Sequence, residues 1–142
     1  MTKTTVVYAL PYPEETDAAD VPRDVQALAQ RLDTILPSIA NMAVSTKGAS
    51  YVLVLNDANS VVEMNVAGAN TVTVPPSSAV AFAIGSVVTI AQLGVGQTAL
   101  VAGAGVTLRA YNGNLKIAGQ YGVAAVIKRA ADEWWAAGNL VP

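Results

Sequence analysis

The chain has 142 residues, 53% of them hydrophobic and only 13% charged, with a formal net charge of −2 and neither cysteine nor histidine. That composition excludes disulfides, thiol catalysis and zinc–thiolate sites, and removes the commonest general base and metal ligand. No basic run exists either, so an electrostatic footprint for nucleic acid is missing.

The charges are unevenly spread. Nine of the eighteen lie in the first 33 positions, and none lies between Glu63 and Arg109. A charged leader therefore precedes an almost neutral body. A monomer relies on surface charge for solubility, and oligomerisation is the simplest substitute. The uncharged surface of the body is expected to be contact surface.

Residues 1–19 read as an extended docking arm. Thr4 to Leu10 suits a strand, and Pro11 and Pro13 flank Tyr12 and forbid helix. Tyr8 and Tyr12 are the candidate anchors on a neighbour. Glu14, Glu15, Asp17, Asp20 and Asp24 cluster here without the Asp-x-Asp-x-Asp-Gly order of a calcium loop; capping and solubility account for them.

Residues 20–40 read as a helix with an oligomerisation role. Asp20 is placed to cap it and Pro22 sits in the first turn. Asp24 complements the positive end of the dipole, and Pro37 is expected to stop the helix near Leu36. Val21, Val25, Leu28, Leu32 and Ile35 recur at steps of four, three, four and three, which is heptad spacing. Arg23, Gln30 and Asp33 occupy the other side. The stripe predicts a homo-oligomeric bundle, trimeric, over the alternative of a helix packed on its own domain. Two heptads barely hold alone, so the body must share the work.

Residues 41–50 are expected to be a linker, and 51–142 a β-domain. Turn signals recur at Asn56-Asp57, Gly68-Ala69-Asn70, Pro75-Pro76-Ser77, Gly85, Gly94-Val95-Gly96, Gly103-Ala104-Gly105 and Asn112-Gly113. Such spacing predicts a compact antiparallel β-sandwich or barrel. Val62 and Met64 alternate with Glu63 and Asn65, Val72 and Val74 with Thr71 and Thr73, and Val106 and Leu108 with Thr107 and Arg109. Tyr51 to Leu55, apolar on both faces, reads as a strand that is central or covered twice. Asn112-Gly113 reads as a hairpin turn. Tyr121 to Arg129 and Glu133 to Ala137 form a last pair around Ala131-Asp132. Trp134 and Trp135 are the candidate outer contacts: adjacent in a strand, one points inward and the other outward.

The neutral stretch has no membrane-helix character, because Gly85, Ser86, Thr89, Gln92 and Gly94 interrupt its best window, Ala79 to Val95. Gly94-Val95-Gly96 and Gly103-Ala104-Gly105 lack the lysine and following helix of a phosphate cradle and read as turns. Glu63, Asp132 and Glu133 are the carboxylates a glycosidase pair could draw on, but nothing marks a cleft. Lys128-Arg129 reads as a basic pair at a strand end. No catalytic, cofactor-binding or metal-binding residue is assigned, and no enzyme activity is expected.

The segment Asp20-Val21-Pro22-Arg23-Asp24-Val25-Gln26-Ala27-Leu28-Ala29 resembles leaders of virion proteins from tailed bacteriophages. Val62-Glu63-Met64, Thr71-Val72-Thr73-Val74-Pro75, Gly105-Val106-Thr107-Leu108 and the stretch from Gly119-Gln120-Tyr121 to Asp132-Glu133-Trp134 resemble small β-domains of phage head-fibre, head-decoration, minor-tail and tail-fibre proteins. The resemblance implies a trimeric virion component, held to major capsid or tail protein by its N-terminal part. From the charge pattern and the interrupted apolar window no nucleic-acid or membrane partner is expected, and a host glycan is admitted as a further partner. The long repeat shaft of a true tail fibre is absent.

Overall fold

The structure, a computed structural model, describes residues 2–4, 11–13 and 21–142. It divides into two compact units, Met1–Met42 and Ala43–Pro142. In the first, β1 (Thr2–Thr4) and β2 (Pro11–Pro13) pair antiparallel with Lys3 opposite Tyr12. Prolines are tolerated there because a two-stranded ribbon consists of edges. Tyr8 and the expected cap Asp20 lie outside the described residues.

Helix α1 spans Val21–Ala40 with Pro37 inside it. The expectation that Pro37 ends the helix at Leu36 is therefore corrected. The proline stands at the head of the last turn, where it withholds one N–H from the Asp33 carbonyl and only three helical residues follow it. Asn41 Nδ2 donates to the Pro37 carbonyl at 3.3 Å and supplies a partner in place of the next turn.

The second unit contains β3 (Val44–Lys47), β4 (Tyr51–Val52), β5 (Ser60–Met64), β6 (Asn70–Val74), β7 (Val87–Gln92), β8 (Thr98–Ala102), β9 (Thr107–Ala110), β10 (Lys116–Ile117), β11 (Val123–Ala130), β12 (Glu133–Gly138) and β13 (Leu140–Val141). They form a six-stranded sheet ordered β3-β5-β7-β11-β12-β9 and a five-stranded sheet ordered β13-β10-β8-β6-β4. The mainly-β, sandwich-like architecture is as expected. The core is built from the inward residues of both sheets, among them Val62, Met64, Val72, Val74, Val88, Ile90, Val126 and Trp134. Alternation thus marked the buried face correctly.

The purely antiparallel pairing is corrected. From β3 to β8 the chain changes sheet at every strand, so neighbours within a sheet run parallel: β3 with β5, β5 with β7, β4 with β6, β6 with β8. The C-terminal strands supply the antiparallel pairs, β7–β11, β11–β12, β8–β10 and β10–β13, while β9 joins β12 in parallel. Alternating hydrophobicity reports which face is buried; it carries nothing about a neighbour's direction.

The result is a flattened coil. Asn70 and Thr98 occupy equivalent places on successive turns, 28 residues apart, and the same offset holds from Ser60 opposite Val88 to Val74 opposite Ala102. Pairing continues around the corner, where Gly94 N–H donates to the Met64 carbonyl and Gly96 N–H to that of Val66, both at 2.9 Å. A side chain on Gly94 would run into the Val66 backbone, and one on Gly96 into the Gly68 carbonyl. These glycines let two backbones stack.

Three further expectations change. The stretch 41–50 contains β3, so the β-unit starts at Ala43. Tyr51 to Leu55 is not central: β4 is an edge strand, with Val52, Val54 and Leu55 exposed. Asn112 and Gly113 do adopt positive φ, 53° and 71°, but they carry the chain from β9 in one sheet to β10 in the other. The last hairpin forms as expected, with Asp132 at φ 53° between β11 and β12.

Candidate functional site

On α1 the heptad stripe is partly uncovered: Val25 is 58% exposed and Leu32 37%, while Leu28 and Ile35 are half-buried. Val21 lies in the first turn of the same helix and Tyr12 in β2. Asp24 pairs with Arg23 at 3.4 Å, a surface contact of little energetic weight. A stripe of this kind gains by burial against another apolar surface, at roughly 25 cal/mol per Å².

The two tryptophans separate as their positions require. Trp134 is 1% exposed and meets Phe82 edge-on at 5.3 Å; it is core, which removes it from the outer contacts. Trp135 is 50% exposed. The Arg129 guanidinium lies 5.7 Å from its ring centre, and Arg109 stands opposite it on β9. Glu133 bridges the two arginines, at 2.8 Å to Arg109 and 2.7 Å to Arg129. Those contacts, the Arg109 hydrogen bond first, hold the Glu133 carboxyl below its ordinary range. Register places Val61, Thr89, Ala125 and Ala137 in one outward row, with Val87, Ile127, Trp135 and Arg109 in the next. The outer face of this sheet is thus mostly apolar, with a Trp–Arg cluster at one end. Tryptophan and arginine are the residue types that most often anchor protein contacts.

Lys128 and Arg129 lie at the end of β11, as their sequence suggests, but they face opposite ways. Arg129 is exposed, whereas Lys128 is buried and donates to Ser77 Oγ at 2.7 Å and to the Phe82 carbonyl at 2.8 Å. Ser77 N–H donates to Asp132 Oδ1 at 2.6 Å. That bond, with the Ser77 hydroxyl next and the charge of Lys128 last, lowers the Asp132 pKa against the opposing effect of burial. Ser77 is held from both sides, so the arrangement ties the 75–86 crossover to the β11–β12 hairpin. Glu63 accepts from Thr46 Oγ1 at 2.9 Å. The three carboxylates considered for paired chemistry thus each have separate partners.

Sequence reading missed the polar corner of the coil. Thr98 Oγ1 donates to Asn70 Oδ1 at 2.8 Å, Asn70 Nδ2 donates to the Gly68 and Gly96 carbonyls, and Gln92 Oε1 accepts from Thr98 N–H at 3.0 Å. All three side chains are buried. The available signal was a polar residue at an inward position of a strand. A shallow cavity of about 160 Å³, lined by Tyr111, Asn114, Ala136, Ala137, Gly138 and Leu140, opens beside the exposed Tyr111 ring. It falls below the roughly 300–1,000 Å³ of ordinary small-molecule sites. Among the described residues no cluster of three metal-ligating side chains occurs, and no helix is long and apolar enough to cross a membrane.

Compared with protein-family models, curated proteins and solved structures, the chain finds no match in any of the three.

Proposed function

We propose that the chain is a non-enzymatic structural protein of a bacteriophage particle: a homotrimeric accessory protein that decorates the head in the manner of a head fibre. Its N-terminal arm and helix anchor it to other virion proteins, and its β-unit points outward. The observation that carries the reading is the exposed part of the heptad stripe on α1, Val25 and Leu32. A helix of this length needs a partner for that stripe, and identical copies supply one in register. The neutral coil adds apolar surface without the charges that would keep copies apart. The virion assignment rests on the resemblance of the leader and strand segments to phage proteins. Co-sedimentation with particles of a phage that encodes the chain tests it: the protein should travel with intact heads, and recovery only in the soluble fraction would contradict it.

A second reading is a minor-tail or tail-tip protein whose β-unit binds carbohydrate on the host surface. The exposed Tyr111 beside its cavity, and the outward Trp135, favour it. A glycan-array signal lost in both Tyr111→Ala and Trp135→Ala would select this reading over decoration.

A further inference from the structure

We infer that the first turn of the β-coil, residues 43–59, is an interface between copies of this chain; the inference rests on the helical assembly proposed above. A coil of stacked turns exposes backbone edges at its ends, and such ends need a cap. Here the first turn contributes β3 and β4, the edge strands at that end of the two sheets. The turn is not polar as a cap would be. Val44 is 60% exposed on one sheet, Val52 is 53% and Leu55 55% exposed beside the other, and Val54 is exposed between them. Register continues the Val52 position outward through Thr73 to Val101, also exposed.

The charges on the turn are Lys47 and Asp57, and both are engaged. The Lys47 ammonium lies 4.2 Å from the Tyr51 ring centre. Asp57 is buried, with Oδ2 accepting from Val54 N–H at 2.8 Å. Among the described residues what remains is an apolar rim around strand edges without a neighbouring strand, with no charge pattern that would select a charged partner.

The occupant follows from chain length. Asn41, Met42 and Ala43 alone separate the last residue of α1 from β3. Four steps of extended chain reach at most roughly 14 Å. Helices gathered through Val25 and Leu32 therefore tether the Val44 of every copy within that reach of its own helix end. The same rim on another copy is the occupant that such tethering keeps at high local concentration.

The chain has no cysteine, so single thiols report the contact directly in the full-length protein. Val54→Cys and Leu55→Cys are treated with a short bis-maleimide, with Thr107→Cys on the far edge strand as the control. Native mass and circular dichroism are recorded for each variant. Both rim variants should form covalent dimer faster than the control by roughly tenfold or more, because a standing contact raises the local thiol concentration into the millimolar range. Adding Leu32→Asp should abolish that excess. If the protein is oligomeric and folded but the rim thiols react no faster than Thr107→Cys, the inference is overturned and the helical assembly stands. If the native mass is that of one chain, both are overturned.

Discussion

The Thr98 hydroxyl donates to the Asn70 side-chain carbonyl at 2.8 Å across 28 residues of sequence. The bond joins the same corner of two successive coil turns and is enclosed, since both residues are buried. Asn70 Nδ2 in turn donates to the Gly68 and Gly96 carbonyls. A buried polar group costs little when every partner is present and much when one is removed.

Asn70→Ala should therefore destabilise the β-unit by about 1–3 kcal/mol, because the Thr98 hydroxyl and two carbonyls lose a partner together. Thr98→Ala should cost less, since it leaves the amide bonds of Asn70 in place. In urea titrations the double variant should fall short of the sum of the singles by about 1 kcal/mol, as expected for residues in direct contact. Strict additivity would mean that the corner does not act as a unit.

The adjacent tryptophans should respond oppositely. Trp134→Ala removes a ring packed edge-on against Phe82 in the core and should cost about 3–5 kcal/mol. Trp135→Ala removes an exposed ring with one arginine contact. It should change the stability of the isolated subunit by less than about 1 kcal/mol. Thermal melts of the two proteins, compared with the parent, check the contrast.

This contrast was legible in the sequence, and so was much of the sandwich. Val62 and Met64, or Val72 and Val74, announce their buried face because side chains in a strand alternate with period two. Asp132 announces its turn because few residues tolerate positive φ. The coil was not legible, because period two is the same for parallel and antiparallel neighbours. Asn112-Gly113 shows the difference: its backbone geometry could be read, but not that it links two sheets. The corner left only faint marks, Gly68 and Gly96 at the spacing of Asn70 and Thr98. Lys128 and Arg129 were legible as a basic pair at a strand end; that Lys128 is the buried one follows from its place on the inward side of β11. Val52, Val54 and Leu55 are exposed beside the buried Leu53, although a run apolar on both faces suggests a strand that is central or covered twice.

Asp132 should give the β-unit an acid-sensitive limb. Its folded pKa is lowered, chiefly by the Ser77 N–H. A depressed carboxylate contributes stability that is fully present above its unfolded pKa and is lost as pH falls through the folded one. Stability should thus be level near neutrality and decline below the ordinary aspartate range. Asp132→Asn should flatten the part of that decline that belongs to this group. Melting temperatures of both proteins from neutral pH down to pH about 2 test it; parallel curves would contradict the assignment.

The central claim is that copies of this chain associate through the stripe on α1. Light scattering on the purified full chain at micromolar concentration measures it directly. The parent should show three times the 14.5 kDa chain mass, and Leu32→Asp should fall to a single chain while keeping the circular dichroism of its β-unit. A parent protein that scatters as one folded chain would contradict the account.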